Sequence, residues 1–207
     1  GSLDEHDAKR LFSIFGIPSV REIKLGLHNP DLNNLESLGE KIVLKILSGE
    51  ITHKTKVGGV ALNVPSAELL QRMQLMFKQV QCKTNSNIEY FLAQEMVQGG
   101  LELMVGMHRD PLGTAILIGM GGITAELFKD TQMRLITPGQ ALSEEEVLEM
   151  LRELKAWPLL DGYRGRAKCD VGALTKAIVN FSNMVATLED RLLECEINPI
   201  FVFDEGQ

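Results

Sequence analysis

The strand-forming runs of this chain of 207 residues come in two clusters, and helices lie between and around them rather than alternating with them one for one. The first cluster comprises residues 20–25, 41–47 and 60–64. The second comprises 90–97, 101–108 and 114–118, followed by 134–137 and, at the end, 192–197 and 200–203. Helical spacing of apolar residues marks 3–15, where Ala8, Leu11, Phe12 and Phe15 recur, and again 66–80, 143–156 and 170–188. A short element follows at 123–128, and the polar stretch 28–40 holds at most a weak helix. Ser2 with Glu5, and Ser143 with Glu146, have capping-box spacing; Gly16 is placed to stop the first helix, and Ser66 and Asp170 to start later ones. No internal repeat is visible. Without strict βαβ alternation a doubly wound sheet is disfavoured, and the expected class is α+β in two lobes. The expected division is 1–19 as helix and lead-in, 20–90 as a first lobe and 91–207 as a second, with the boundary near 90–94 and a ligand cleft between two sheets.

Charge narrows the function. The net charge of -7 argues against a nucleic-acid footprint, so any phosphate site must be local. Three cysteines, Cys82, Cys169 and Cys195, form an odd set without a C-x-x-C pair, which disfavours a disulfide framework or a zinc site and makes a reducing cytoplasm the expected setting. No apolar run approaches the roughly 20 residues of a bilayer span.

One positive spot stands out in this acidic chain. His53-Lys54-Thr55-Lys56-Val57-Gly58-Gly59-Val60 lies between two strand-like runs. Glycines let backbone N–H groups approach an oxyanion and lysines supply charge, so the stretch reads either as a loop closing over nucleotide phosphates or as a hairpin with solvated lysines. Lys45, inside the apolar run 41–47, is either aimed at a phosphate or exposed on an edge strand. Gln94-Glu95-Met96-Val97 ends a strand whose backbone could meet an adenine edge, with Glu95 or Glu102 near a ribose; the other reading is a surface carboxylate on a hairpin. Period-two alternation sends Glu196 and Asn198 to one strand face, an oxygen pair suited to Mg2+ or simply a polar solvent face. Gly119-Met120-Gly121-Gly122 lacks the spacing of a dinucleotide fingerprint and reads as a tight turn. Arg109 and Arg134 stand at strand ends, where Arg134 could steady phosphate charge or remain solvated.

Taken together and in order, these pieces resemble the ATP-grasp domain of the nucleoside-diphosphate-forming acyl-CoA synthetases, the ADP-forming acetate–CoA ligase group, and more distantly the nucleotide-binding subunit of succinyl-CoA synthetase. The resemblance runs from Ala8-Lys9-Arg10-Leu11 and Gly16-Ile17-Pro18 through Val43-Leu44-Lys45, residues 53–60, Gln94 to Val97, Gly106 to Pro111, Gly119 to Ile123, Pro158-Leu159-Leu160 and Gly162-Tyr163-Arg164-Gly165 to Glu196-Ile197-Asn198-Pro199. It implies an ATP-grasp fold with ATP in the cleft between two lobes. Lys45 then contacts the nucleotide, Lys56, Gly58 and Gly59 belong to a loop over the phosphates, Glu95, Met96 and Val97 form the adenine site with Glu102 beyond, and Glu196 and Asn198 bind Mg2+. His53 matches a histidine that relays phosphate, supported by Lys54 and Lys56. Position 56 is Lys where relatives often carry an acid, and relatives continue past the final strand into another that bears an acidic magnesium ligand.

The function implied is the ATP-binding phosphotransfer module of an ADP-forming acyl-CoA synthetase, an acid–thiol ligase. Acid, CoA and ATP become acyl-CoA, ADP and phosphate through phosphohistidine and acyl phosphate. The cofactors are ATP and Mg2+, with CoA on a partner domain. The partners are a CoA-binding, phosphohistidine-bearing domain or subunit and a small carboxylic acid or its acyl-CoA, with no nucleic acid and no membrane. The alternative is a non-catalytic nucleotide-sensing domain in an acyltransferase-type fusion.

Overall fold

A computed structural model describes residues 1–51 and 53–207. It divides into two compact units: Gly1–Ser13 with Ser19–Gln98, and Ile14–Pro18 with Gly99–Gln207.

The first unit is a four-stranded antiparallel sheet with helices. Its strands are β1 (Glu22–Gly26), β2 (Lys41–Leu47), β3 (Val60–Pro65) and β4 (Tyr90–Glu95), in the order β1-β4-β2-β3. Alternation along β2 turns Ile42, Leu44 and Ile46 to one face, where they cluster with Leu69, Met73, Met76 and Val80 of helix α2 (Leu69–Lys83). Those four α2 residues recur at intervals of four, three and four, the stripe a helix lays on a sheet. Val43 and Lys45 therefore belong to the opposite face. Cross-strand pairing puts Gln94 and Glu22 in the row of Val43, and Leu92 and Lys24 in the row of Lys45. Helix α1 (Glu5–Ile14) sends its first two turns to this second face.

The second unit pairs β5 (Leu101–Asp110), β6 (Gly113–Met120), β7 (Thr131–Ile136) and β8 (Glu194–Val202) in the order β7-β6-β5-β8, again all antiparallel. A short helix, α3 (Ile123–Phe128), joins β6 to β7. Then follow α4 (Glu144–Arg152), α5 (Trp157–Leu160) and the long α6 (Val171–Leu188). The Ser143/Glu146 capping box forms as expected, with the Ser143 hydroxyl accepting from the Glu146 N–H at 3.1 Å. Asp170 caps α6 by accepting from the Ala173 N–H at 3.0 Å. α6 buries Leu174, Ile178, Phe181 and Val185.

Several expectations need correction. β4 hydrogen-bonds between β1 and β2, so the chain leaves the first unit after Gln98 rather than near residue 90. The lead-in 1–19 is shared between the units and is no segment of its own. Ser2 and Glu5 make no capping box; Asp4 accepts from the Asp7 N–H at 2.8 Å instead, which frees the Glu5 carboxylate. Ser66 opens a 3₁₀ turn, Ser66–Glu68, with no side-chain cap. The stretch 28–40 contains only the 3₁₀ turn Leu35–Leu38. The last two strands are one, β8, whose register against β5 slips where Pro199 lacks an N–H for the ladder.

Candidate nucleotide site

Lys45 and the glycine-loop lysine Lys54 meet on one carboxylate. Glu5 Oε1 accepts from Lys45 Nζ at 3.0 Å, and Glu5 Oε2 accepts from Lys54 Nζ at 3.1 Å. Gln94 Nε2 and Lys9 Nζ each donate to Glu5 Oε1 at 3.2 Å. Glu22 closes the network, accepting from Lys9 and from Gln94, while His6 Nδ1 lies 2.8 Å from its second oxygen. Burial by itself would raise the Glu5 pKa, but the ammonium groups of Lys45, Lys9 and Lys54 outweigh it and hold this carboxyl well below the usual carboxylate range. β2 is an interior strand, so the edge-strand reading of Lys45 falls away; its charge on a half-buried face is compensated by Glu5.

The glycine loop is a compact turn. Gly58 has φ +82° and donates its N–H to Thr55 O at 3.2 Å. Gly59 donates to Lys54 O at 2.7 Å and accepts from the Ile46 N–H at 2.9 Å. Both glycine amides are thus spent inside the loop, and what the loop presents outward is side chains: His53 and Lys56 are exposed.

Glu95 is committed to Arg21, accepting from its backbone N–H at 2.8 Å and from its guanidinium at 3.0 and 3.2 Å. Its pKa is lowered because those donors outweigh the opposing effect of burial. Met96 and Val97 follow β4, half-buried and outside the strand.

In the second unit, Glu196 stands across from Gly106, and Glu102 shares that sheet face by alternation along β5. The β6–α3 glycines fit this face closely. A Cβ on Gly121 would meet Leu103 O at 3.0 Å and Asn198 Oδ1 at 3.3 Å, and one on Gly122 (φ +73°) would collide with the Glu102 carboxylate. Residues 119–122 are thus the end of a strand and a bend into a helix, packed under the acidic residues. Glu196 and Asn198 are exposed, and the Asn198–Pro199 bond is cis. Among the described residues no group of three or more His, Cys, Asp or Glu is placed to hold a metal alone. One carboxylate and one amide oxygen fit a Mg2+ that takes its remaining ligands from water and phosphate.

Arg134 pairs with Glu149 at 3.2 Å and Glu146 at 3.8 Å, and Arg109 donates to Leu192 O and Val185 O near the end of α6. Both arginines tie second-unit elements together.

The sequence singled out Lys45 and Lys54 but not Glu5, Glu22 or Lys9, which the structure groups with them. The usable signal was the alternation in 41–47, which puts Lys45 on the face away from the core, where it needs an anion. Cys195, beside Glu196, offers a reporter: burial pushes its thiol up to about 11, while Cys82 is exposed. Disulfide reagents are expected to label Cys82 first, with Cys195 labelling about tenfold faster per pH unit up to that range. Equal rates for the two thiols at pH 8 would contradict this burial.

The protein-family profile described as the ATP-grasp domain matches residues 1–207. The chain is 31% identical over 206 residues to the acetate–CoA ligase [ADP-forming] II subunit beta of Pyrococcus furiosus, covering 98% of this chain and 86% of that subunit. It is 39% identical over 173 residues to acetate–CoA ligase [ADP-forming] I of Archaeoglobus fulgidus, covering 83% of this chain but 24% of that longer protein. Among solved structures, the dinucleotide-forming acetyl-coenzyme A synthetase 1 of Ca. Korarchaeum cryptofilum, in complex with coenzyme A, Ca-AMPCP and HgCl+, superposes with a TM-score of 0.85. The identity there is 32%, over 99% of this chain and 88% of that one.

Proposed function

The chain belongs to the ATP-grasp domain family, and on that premise we propose that it is the nucleotide-binding, phosphoryl-transferring part of an ADP-forming acyl-CoA ligase. The observation that carries this reading is the meeting of Lys45, from an interior strand, with Lys54, from the glycine loop, at one anion position. The similarity to a ligase beta subunit over 98% of the chain supports it.

In this reading the two ammonium groups receive nucleotide phosphate oxygens. His53, exposed beside Lys54, is the relay: an imidazole nitrogen lone pair attacks phosphorus, the bond from phosphorus to its leaving atom breaks (oxygen for ATP, a ring nitrogen for a phosphohistidine), and the ring proton passes to solvent. With ATP the leaving group is ADP. With a phosphohistidine of the partner it is the partner's imidazole, and the phosphoryl group then goes on to ADP. Glu196 and Asn198 would hold Mg2+, which when bound offsets phosphate charge. Met96 and Val97 would meet the adenine through backbone groups. The partner is a CoA-binding, phosphohistidine-bearing domain or subunit, the remaining substrate is a small carboxylic acid, and the setting is the cytoplasm. No helix among the described residues is long and apolar enough to cross a membrane.

Calorimetric titration of ATP with and without Mg2+ tests the reading directly. Micromolar, Mg2+-dependent binding is expected, and its absence would count against a nucleotide role. Asn198→Ala is expected to shift the Mg2+ requirement for ATP binding upward several-fold with little change in melting temperature, because Asn198 is exposed. An unaltered Mg2+ titration would remove Asn198 from the metal site.

A further inference from the structure

Glu5 touches both phosphate-site lysines, which come from parts of the chain 40 and 49 residues away from it. We infer that Glu5 is a positioning residue, its two oxygens fixing Lys45 and Lys54 as a preset pair that receives the phosphates of a nucleoside triphosphate. The inference rests on the nucleotide reading of this site.

Three features of the network support a holding role over a blocking one. First, Glu5 is itself held: Asp4 caps the first turn of α1, Lys9 approaches from one turn along, and Gln94 donates from β4. A carboxylate with donors on both oxygens has a defined orientation and passes it to its partners. Second, the charges do not cancel. Lys9, Lys45 and Lys54 face Glu5 and Glu22, three positive charges against two negative, so the cluster still attracts an anion with Glu5 in place. Third, an ammonium has three N–H donors. Lys45 and Lys54 each give one to Glu5, which leaves two apiece for phosphate oxygens. Without Glu5 the two cations would repel each other, and Lys54 would lose the tie that joins the glycine loop to α1.

Glu5→Gln in the full chain is the test, with Glu5→Asp as a second variant that keeps the charge but retracts it. Thermal melts confirm that each folds. Two quantities are read: Mg-ATP affinity by calorimetry, and the acylation rates of individual lysines by an amine reagent with mass spectrometry. Exposed Lys41 is the internal reference. Glu5→Gln is expected to weaken Mg-ATP binding at least fivefold and to raise the acylation of Lys45 and Lys54 at least fivefold relative to Lys41, with Glu5→Asp intermediate in both. A general loss of structure would also expose these half-buried lysines relative to Lys41, so the acylation change is read only in a variant whose thermal melt matches the wild type, which separates positioning from mere stability. Affinity within twofold of the wild type with unchanged acylation overturns the inference. So does tighter binding, which would make Glu5 a competing anion. If the wild type itself binds no Mg-ATP, the nucleotide reading fails, and the acylation pattern still decides whether Glu5 holds the two lysines.

Discussion

Lys45→Ala should weaken Mg-ATP binding by at least tenfold, a loss of about 1.4 kcal/mol. Lys45 stands on the interior strand β2, on the face turned away from Ile42, Leu44 and Ile46, so its ammonium is carried by a sheet that the hydrophobic cluster makes rigid. A charged donor held in this way does not spend rotamer entropy on meeting a phosphate, which is why it should matter more than a lysine on a free loop. The stability cost should be smaller than the binding cost. Glu5 retains Lys9, Lys54 and Gln94 after the substitution, and the lost ion pair is about one quarter exposed on each side, so solvent screens it. Calorimetry on the variant and a thermal melt, taken together, check the claim. Unchanged affinity would remove Lys45 from the phosphate site. A collapse of the melting temperature would instead make the residue structural.

Much of the fold was legible because its signals are local. Two strand clusters, the Ser143/Glu146 box and the Asp170 cap are each written within a few residues of themselves. The errors came where distant partners decide. Phe91, Leu92 and Ala93 form a run buried on both faces, which looks the same whether it opens one sheet or closes another; only pairing with β1 and β2 assigns it to the first unit. At the N-terminus, Ser2 and Glu5 have the right spacing for a box, but Glu5 gains more from three ammonium groups than from a backbone N–H, and Asp4 takes the cap. The site divides in the same way. Residue type and alternation pointed to Lys45, Lys54, Glu196 and Asn198. The partnership of Glu5 with Lys45, across 40 residues, has no local signature at all.

The glycine pair is a case where one composition hides two causes, and substitution at both positions should separate them. Gly58 is a glycine because its φ is +82°; a Cβ there would find nothing closer than Gln79 Oε1 at 3.8 Å. Gly59 lacks that constraint, but its Cβ would lie 2.6 and 2.7 Å from Ile46 Cδ1 and Cγ1 and 3.1 Å from Lys54 O. Ile46 is fully buried and has nowhere to retreat. Gly58→Ala is therefore expected to cost about 1–2 kcal/mol through backbone strain, and Gly58→Asn less, because Asn tolerates the left-handed region. Gly59→Ala is expected to cost about 1–3 kcal/mol through overpacking, and Gly59→Asn more, because the demand is for volume. Denaturant unfolding of the four variants reads the order, which should reverse between the two positions. The same substitution at Gly59 should also weaken Mg-ATP binding, since lifting the loop from Ile46 breaks the Gly59–Lys54 hydrogen bond and carries Lys54 away from Glu5. If Asn were milder than Ala at both positions, conformation alone would govern the loop and the packing account of Gly59 would fail.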